Sequence, residues 1–292
     1  MGGTARARLI ATIAAAVLLG AALLALLNDW QQSRALAVLR VGVLPDQAAP
    51  VLERRYAPLL GHLQERLGME VRLVVPDNYD DLVELFAAGA IDIAYFGGLT
   101  FLRANKRHGA KPMVMRDVDL DFRTVFLVRE ESPARAIEAF EGRRFAFGSE
   151  DSTSGHLMPR HFLRERGIRP EAFFSTVRYS GAHDTSALWV QQGVVDLSAA
   201  NGLVVEAMRA QSRLDGVRVL WESPGYPDYV WAAQGALAEP LRERIVAAFL
   251  ELSPGDPEQR AILESVGAGG FVPARLSDFR SLSQIAAELG FL

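Results

Sequence analysis

Phe147-Gly148-Ser149-Glu150-Asp151-Ser152-Thr153-Ser154-Gly155-His156-Leu157-Met158-Pro159 leaves a strand-like run, passes through a hydroxyl- and glycine-rich turn and opens a helical pattern. Backbone N–H groups in the first turn of a helix have no intrahelical acceptor, and the helix dipole places partial positive charge there. Ser152, Thr153 and Ser154 add hydroxyl donors, and Gly155 lets a ligand approach closely. Two readings stand: a cradle for an anion, or an ordinary N-cap, which needs only one such residue.

Outward from this turn, the spacing predicts a strand over 144–147, a helix to about 166, a strand over 176–179, a helix over 182–192 and a strand over 195–199. The preceding part repeats the logic. A strand over 39–44, a helix over 56–67 and a strand over 71–75 make a βαβ unit. A helix over 80–88 closed by Gly89 and a strand over 91–96 ending in Gly97-Gly98 follow, the glycine pair marking a strand end that something approaches. Residues 124–128 read as a strand leading out of this first unit, and Glu131-Ser132-Pro133 as the turn into the second. A strand over 217–221 runs into the proline-rich segment 222–228, a return crossing. Helices near 239–252, 257–266 and 276–289 pack back on the first unit.

The fold class expected is therefore α/β with two lobes. Lobe 1 comprises 38–128 and 226–292, and lobe 2 comprises 129–225. Crossing strands form a hinge, and strand ends and helix N-termini converge on a cleft that closes around a small ligand. Two domains that merely touch are the alternative.

The chain has 292 residues, half of them hydrophobic, a formal net charge of −4 and no basic tract, which argues against nucleic acid as a partner. Cysteine is absent, so no disulfide framework, thiolate metal site or lipidated cysteine is available. Arg6 and Arg8 precede an apolar run over 9–27, an export signal with its N-terminus in the cytoplasm. At 19 residues it approaches the roughly 20 needed to span a bilayer. Cleavage after Ala35-Leu36-Ala37 and retention as a membrane anchor both stand. Either way, everything beyond about residue 38 faces the outside of the inner membrane. No output domain is expected before Leu292.

Unusual polar residues near strand ends are Tyr79, the Phe96-Gly97-Gly98 corner, Ser152-Thr153-Ser154, His183 and Asp228. With them come Ile91-Asp92-Ile93-Ala94-Tyr95-Phe96-Gly97-Gly98-Leu99-Thr100, Tyr179-Ser180-Gly181-Ala182-His183-Asp184, Val195-Asp196 and Ser223-Pro224-Gly225-Tyr226-Pro227-Asp228-Tyr229-Val230-Trp231. In their order and combined length these motifs resemble the substrate-binding proteins of phosphonate, phosphite and phosphate ABC transporters, nearest the branch labelled selenate-binding. The resemblance covers nearly all of 38–292. It implies a two-lobed periplasmic-binding-protein fold of the type II-like kind, a single site for a tetrahedral oxyanion or small phosphonate, an ABC permease and ATPase as partner subunits, and no cofactor.

The resemblance puts the anion-binding hydroxyls on Ser152, Thr153 and Ser154, the ligand-contacting histidine on His183, the first-lobe tyrosine on Tyr79 and the hinge-side aspartate on Asp228. Phe96 stands where phosphonate binders have a second tyrosine, and Leu203 where they have an acidic residue. Both losses disfavour an aminoalkylphosphonate relative to a bare oxyanion. Asp228 would accept from a protonated ligand oxygen and repel a fully ionised dianion. His183 also reads as a cap, Asp228 as a turn residue, Tyr95 and Phe96 as core or cleft wall, Trp189 and Trp231 as packing, and His156 and His161 as surface residues.

Two other functions fit parts of the sequence. Ser154, His183 and Asp228 are the residue types of a hydrolase triad, without the Gly-x-Ser-x-Gly elbow. A tethered oxyanion sensor or adaptor would share the same lobes.

Overall fold

The computed structural model describes residues 38–292. The apolar run at 9–27 and the candidate cleavage site at 35–37 lie outside the described residues. Among the described residues, no helix is long and apolar enough to cross a membrane. Residues 40–292 form one compact unit.

Two mixed sheets organise it. The first contains β1 (Val38–Val43), β2 (Glu70–Val74), β3 (Ile93–Phe96), β4 (Lys111–Arg116), β10 (Val230–Ala233) and β11 (Phe271–Pro273), in the order β11-β4-β10-β3-β1-β2. The second contains β5 (Thr124–Arg129), β6 (Arg144–Phe147), β7 (Thr176–Tyr179), β8 (Leu197–Asn201) and β9 (Val217–Glu222), in the order β7-β6-β8-β5-β9. Helices α1 (Ala49–Leu67), α2 (Tyr79–Ala87) and α3 (Gly98–His108) follow β1, β2 and β3, and α8 (Glu239–Leu250), α9 (Pro257–Ser265) and α10 (Arg280–Glu288) come after β10. The second half carries α4 (Met158–Glu165), the short α5 (Pro170–Phe173), α6 (His183–Gln191) and α7 (Gly202–Ala210).

Both halves start from the same device. The Arg40 guanidinium at the start of β1 bonds both carboxylate oxygens of Asp92, at 2.6 and 2.9 Å, just before the parallel strand β3. Arg144 at the start of β6 repeats this on Asp196, at 2.7 and 2.9 Å, just before β8. Bidentate pairs of this kind set the register of neighbouring parallel strands.

β5 differs from the sequence expectation that residues 38–128 belong to the first lobe. It pairs antiparallel with β8 and with β9, both in the second sheet. Val125 and Leu127 enter one buried cluster with Ala187, Val190 and Val204, while Phe126 and Val128 enter another with Phe140, Phe145 and Phe147. A strand apolar on both faces must be covered on both, and here both covering clusters come from the second half. The chain crosses between the sheets twice, at 122–124 and 223–226. There the Phe122 and Tyr226 backbones exchange hydrogen bonds of 2.9 and 3.0 Å, and the Thr124 N–H donates to Ser223 Oγ at 3.0 Å.

The sequence expectation also lacked α3, β4, α7 and β10. β10, four residues buried throughout, lacks the alternation that marks a strand, and α3 and α7 start directly after strands, at the caps Gly97 and Asn201. Gly89, expected to close α2, does so at φ +70°, a conformation that L residues rarely adopt.

The core of the first half centres on Trp231 of β10, 1% exposed, packed on Tyr95 at 4.9 Å, Phe249 at 5.1 Å and Tyr56 at 6.0 Å between ring centres. Trp231→Ala is expected to cost about 3–5 kcal/mol, because the surrounding rings collapse only partly into the cavity; the urea midpoint measures it.

Candidate functional site

Four chain segments end at one place. Tyr79 is the first residue of α2, after an Asn78 cap that accepts from the Asp81 N–H at 2.9 Å. Gly98 opens α3 and His183 opens α6. The Ser152-Thr153-Ser154 turn begins a wide helical stretch, Thr153–Leu157, that runs into α4. Helix N-termini converging in this way create a positive potential without a cationic side chain. Tyr79, Ser152, Thr153, Ser154, His183 and Asp228 are all between 0% and 2% exposed.

In the turn, the cap reading is met. Ser152 is a true N-cap, its Oγ accepting from the Gly155 N–H at 2.9 Å. Thr153 Oγ1 accepts from the Leu99 N–H at 2.9 Å, across from the first half. With an oxygen lone pair engaged by a backbone donor in each case, the hydroxyl hydrogens of Ser152 and Thr153 remain free to donate. Gly155 is also required by packing. A Cβ there would lie 3.0 Å from the Gly148 Cα, 3.0 Å from His183 Cε1 and 3.0 Å from Ser152 Oγ. The glycine admits the strand end and the histidine.

The tautomer of His183 follows from its partners. The Asn201 N–H donates to Nδ1 at 3.3 Å, so Nδ1 carries a lone pair and a neutral ring holds its proton on Nε2, which faces Ser154 Oγ at 3.5 Å. Burial depresses the pKa in the same direction, against Asp46 and Asp184. No carboxylate orients the ring through Nδ1, so Ser154, His183 and Asp228 do not make a triad.

Asp228 is held by the Gly98 N–H, which donates to Oδ1 at 2.7 Å. The other oxygen, Oδ2, has no hydrogen-bond partner in the protein, although Thr153 and Ser154 stand beside the carboxyl. The hydroxyl of Tyr79 has none either, although Ser152 stands beside it. Burial pushes the Asp228 carboxyl up to about 7, against the Gly98 N–H that favours its ionised form, and pushes the Tyr79 phenol well above its ordinary range. Tyr79 is a neutral donor at any physiological pH.

Phe96 ends β3, and its ring packs edge-to-face on Phe86 at 5.1 Å, an apolar contact of α2. Leu203 instead lines a cavity of about 630 Å³ in the outer cleft, with Asp46, Asn201, Tyr229 and, one helical turn on, Glu206. His156, expected at the surface, is 5% exposed. Its Nδ1–H donates to the Glu150 carbonyl at 2.6 Å, its Nε2 accepts from Arg160 Nε at 3.0 Å, and burial lowers its pKa to about 4. The apolar neighbours Phe147 and Tyr179 account for that burial.

Three residues without a role in the sequence reading wall the site. The Tyr229 hydroxyl donates to Asp46 Oδ2 at 2.8 Å, Asn201 Nδ2 donates to that hydroxyl at 3.3 Å, and the His183 N–H donates to the Asp46 carbonyl at 3.0 Å. Tyr229 stacks on Tyr95 at 5.2 Å, and the Arg116 guanidinium lies 5.8 Å from its ring centre. Their only sequence signal is position: Asp46 and Asn201 follow or end strands that lead to the cleft, and Tyr229 adjoins Asp228.

The folded carboxyl of Asp228 holds its proton to about pH 7, whereas an unfolded aspartate releases it near 4. Between those values the native state binds more protons, so stability falls as pH rises through the window and the penalty is complete above it. Asp228→Asn retains the bond from Gly98 and removes the penalty. The variant is expected to melt higher than the parent at pH 8 and at nearly the same temperature at pH 4, as ligand-free thermal melts would read.

Residues 41–279 match the family described as ABC transporter, phosphonate, periplasmic substrate-binding protein. The chain is 31% identical over 266 residues to the "Probable ABC transporter phosphite binding protein PhnD1" of Prochlorococcus marinus, covering 86% of this chain and 90% of that one. It is 27% identical over 227 residues to the phosphate-import protein PhnD of Mycolicibacterium smegmatis, covering 72% and 70%. The solved structure of the Prochlorococcus protein in complex with methylphosphonate superposes with a TM-score of 0.83 at 30% identity, covering 88% of this chain and 99% of that one. A phosphonate-transporter binding component from Pseudomonas aeruginosa, at 18% identity, shares the fold with a TM-score of 0.80. This is a family of binding proteins and not of enzymes, and the hydrolase alternative falls with it. The chain belongs to the periplasmic substrate-binding proteins of phosphonate-type ABC transporters.

Proposed function

We propose that this protein captures one tetrahedral phosphorus oxyanion, of the phosphite, phosphate or methylphosphonate class, in the chamber between Tyr79, the Ser152-Thr153-Ser154 turn, His183 and Asp228, and delivers it to an ABC permease and its ATPase. The supporting observation is the pair of fully buried polar atoms, Tyr79 Oη and Asp228 Oδ2, that lack a protein partner beside a turn of free hydroxyl donors. An unpartnered buried polar atom costs about 1–3 kcal/mol, and an anion with three or four oxygens around one phosphorus satisfies several at once. Similarity to a phosphite-binding protein and to a phosphate-import protein supports the ligand class.

The moving bodies we assign are 38–122 with 226–292, and 123–225, hinged at the two crossings, a boundary shifted from the sequence expectation by the membership of β5. The apolar run at 9–27 would serve export, and mass spectrometry of the mature N-terminus distinguishes a cleaved protein from an anchored one.

Asp228 carries the specificity. A ligand oxygen bearing a proton can donate it to an ionised Asp228; selenate and sulfate have none to give near neutral pH, so they require the carboxyl itself to be protonated. Their affinity should fall about tenfold for each pH unit above about 7. Asp228→Asn removes that slope. Leu203 takes a carboxylate from the substituent side, while Glu206 keeps one at the cavity rim.

Titration calorimetry of residues 38–292 against phosphite, phosphate, methylphosphonate, sulfate and selenate tests the reading. One-site binding of a phosphorus oxyanion is expected, and no heat and no thermal shift with any of the five overturns it. Tyr79→Phe separates function from folding. It removes a hydroxyl without a protein partner, so the ligand-free protein is expected to melt no lower, while affinity drops by about ten- to a hundredfold.

A further inference from the structure

Arg103, on α3, reaches out of the first half to the loop that carries the anion-binding turn. Its Nη1 pairs with Asp151 Oδ1, the residue before Ser152, and lies 3.9 Å from Asp80 Oδ1, the residue after Tyr79. Arg103 and Asp151 are 18% and 16% exposed at their side chains, so the pair is partly withdrawn from solvent; Asp80 is 74% exposed. The Arg103 Nε–H also donates to the Phe291 carbonyl at 3.3 Å, and the Phe291 ring meets the His156 ring of the second half edge-on at 5.0 Å. His156 is uncharged, so this second limb is apolar.

We propose that Arg103 is a positioning residue for ligand retention: by bridging Asp80 and Asp151 it holds the Tyr79 wall and the Ser152 turn at their closed separation, with Phe291 against His156 as a second limb. The assignment rests on the ligand-chamber reading above. The hydrogen bonds and ion pairs of Arg103 go to Asp80, Asp151 and Phe291, outside the chamber itself. The two carboxylates it bridges face each other across the cleft, and without the guanidinium their repulsion opposes closure. A lock made only in the closed state slows dissociation and leaves association nearly unchanged.

Stopped-flow tryptophan fluorescence with phosphite and methylphosphonate reads both rates. Arg103→Gln and Asp151→Asn are each expected to raise the dissociation rate about tenfold, with the association rate within about a factor of two. Adding Asp151→Asn to Arg103→Gln is expected to raise the dissociation rate no further, because the pair is already broken and the second change only removes the facing carboxylate. Raising salt from about 0.05 M to about 1 M should speed dissociation from the parent and leave Arg103→Gln unmoved. Arg103→Lys should restore part of the effect, and Phe291→Ala should add to it. Dissociation unchanged in Asp151→Asn, a partly exposed loop position that does not threaten folding, overturns the proposal even if Arg103→Gln does not fold. So do effects that simply add in the double variant. A parent protein that binds neither probe defeats the chamber reading instead. The lock is then judged by small-angle scattering of the ligand-free chain, where Asp151→Asn must widen the particle and an unchanged profile overturns the proposal.

Discussion

One hydrogen bond organises the site: the Gly98 N–H to Asp228 Oδ1, at 2.7 Å. It joins the end of β3, the N-terminus of α3 and the second crossing between the sheets, so the carboxyl is placed by backbone. It also commits only one oxygen, leaving Oδ2 buried and unpaired. A Cβ at position 98 would come within 3.4 Å of that carboxylate and 2.4 Å of the Leu282 side chain, so the approach needs glycine. Burial of this carboxyl outweighs the donors beside it, and its pKa rises to about 7. The acid–base behaviour of the chamber therefore follows from how completely the fold removes the carboxyl from water.

The remaining donors are neutral and pre-aimed. Ser152 and Thr153 each accept from a backbone N–H, and the Asn201 N–H fixes the His183 tautomer. Each donor is oriented before a ligand arrives, which lowers the entropy lost on binding. The bond from Leu99 to Thr153 crosses between the halves and ties the turn to the start of α3. Around it, Asp46, Tyr229 and Asn201 form a second set of crossing contacts on the side of the larger cavity. Two groups of contacts thus join the halves, one around Asp46, Tyr229 and Asn201 and one around Arg103.

Much of the fold was legible because α/β units leave a strong pattern: apolar strands, amphipathic helices and glycine at their ends. The Arg40–Asp92 and Arg144–Asp196 pairs show that both halves repeat one construction. β5 was misplaced because an alternating strand shows that it has two faces and not which sheet covers them. His156 was misread because the rings that bury it, Phe147, Tyr179 and Phe291, come from three other elements.

The residues of the chain alone determined the chemistry of the site: hydroxyls at a helix start, a histidine, a phenol and a carboxyl, with no cysteine and no basic tract. They determined it because helix N-termini and turn residues act locally, within a few positions of one another. Tertiary structure alone decided which of their atoms are free. The roles of Gly155, Asp46, Tyr229 and Arg103, and the unpaired state of Tyr79 Oη and Asp228 Oδ2, depend on partners up to nearly two hundred positions away. Hydrogen-bond saturation is a property of three-dimensional neighbours, and no local pattern records it.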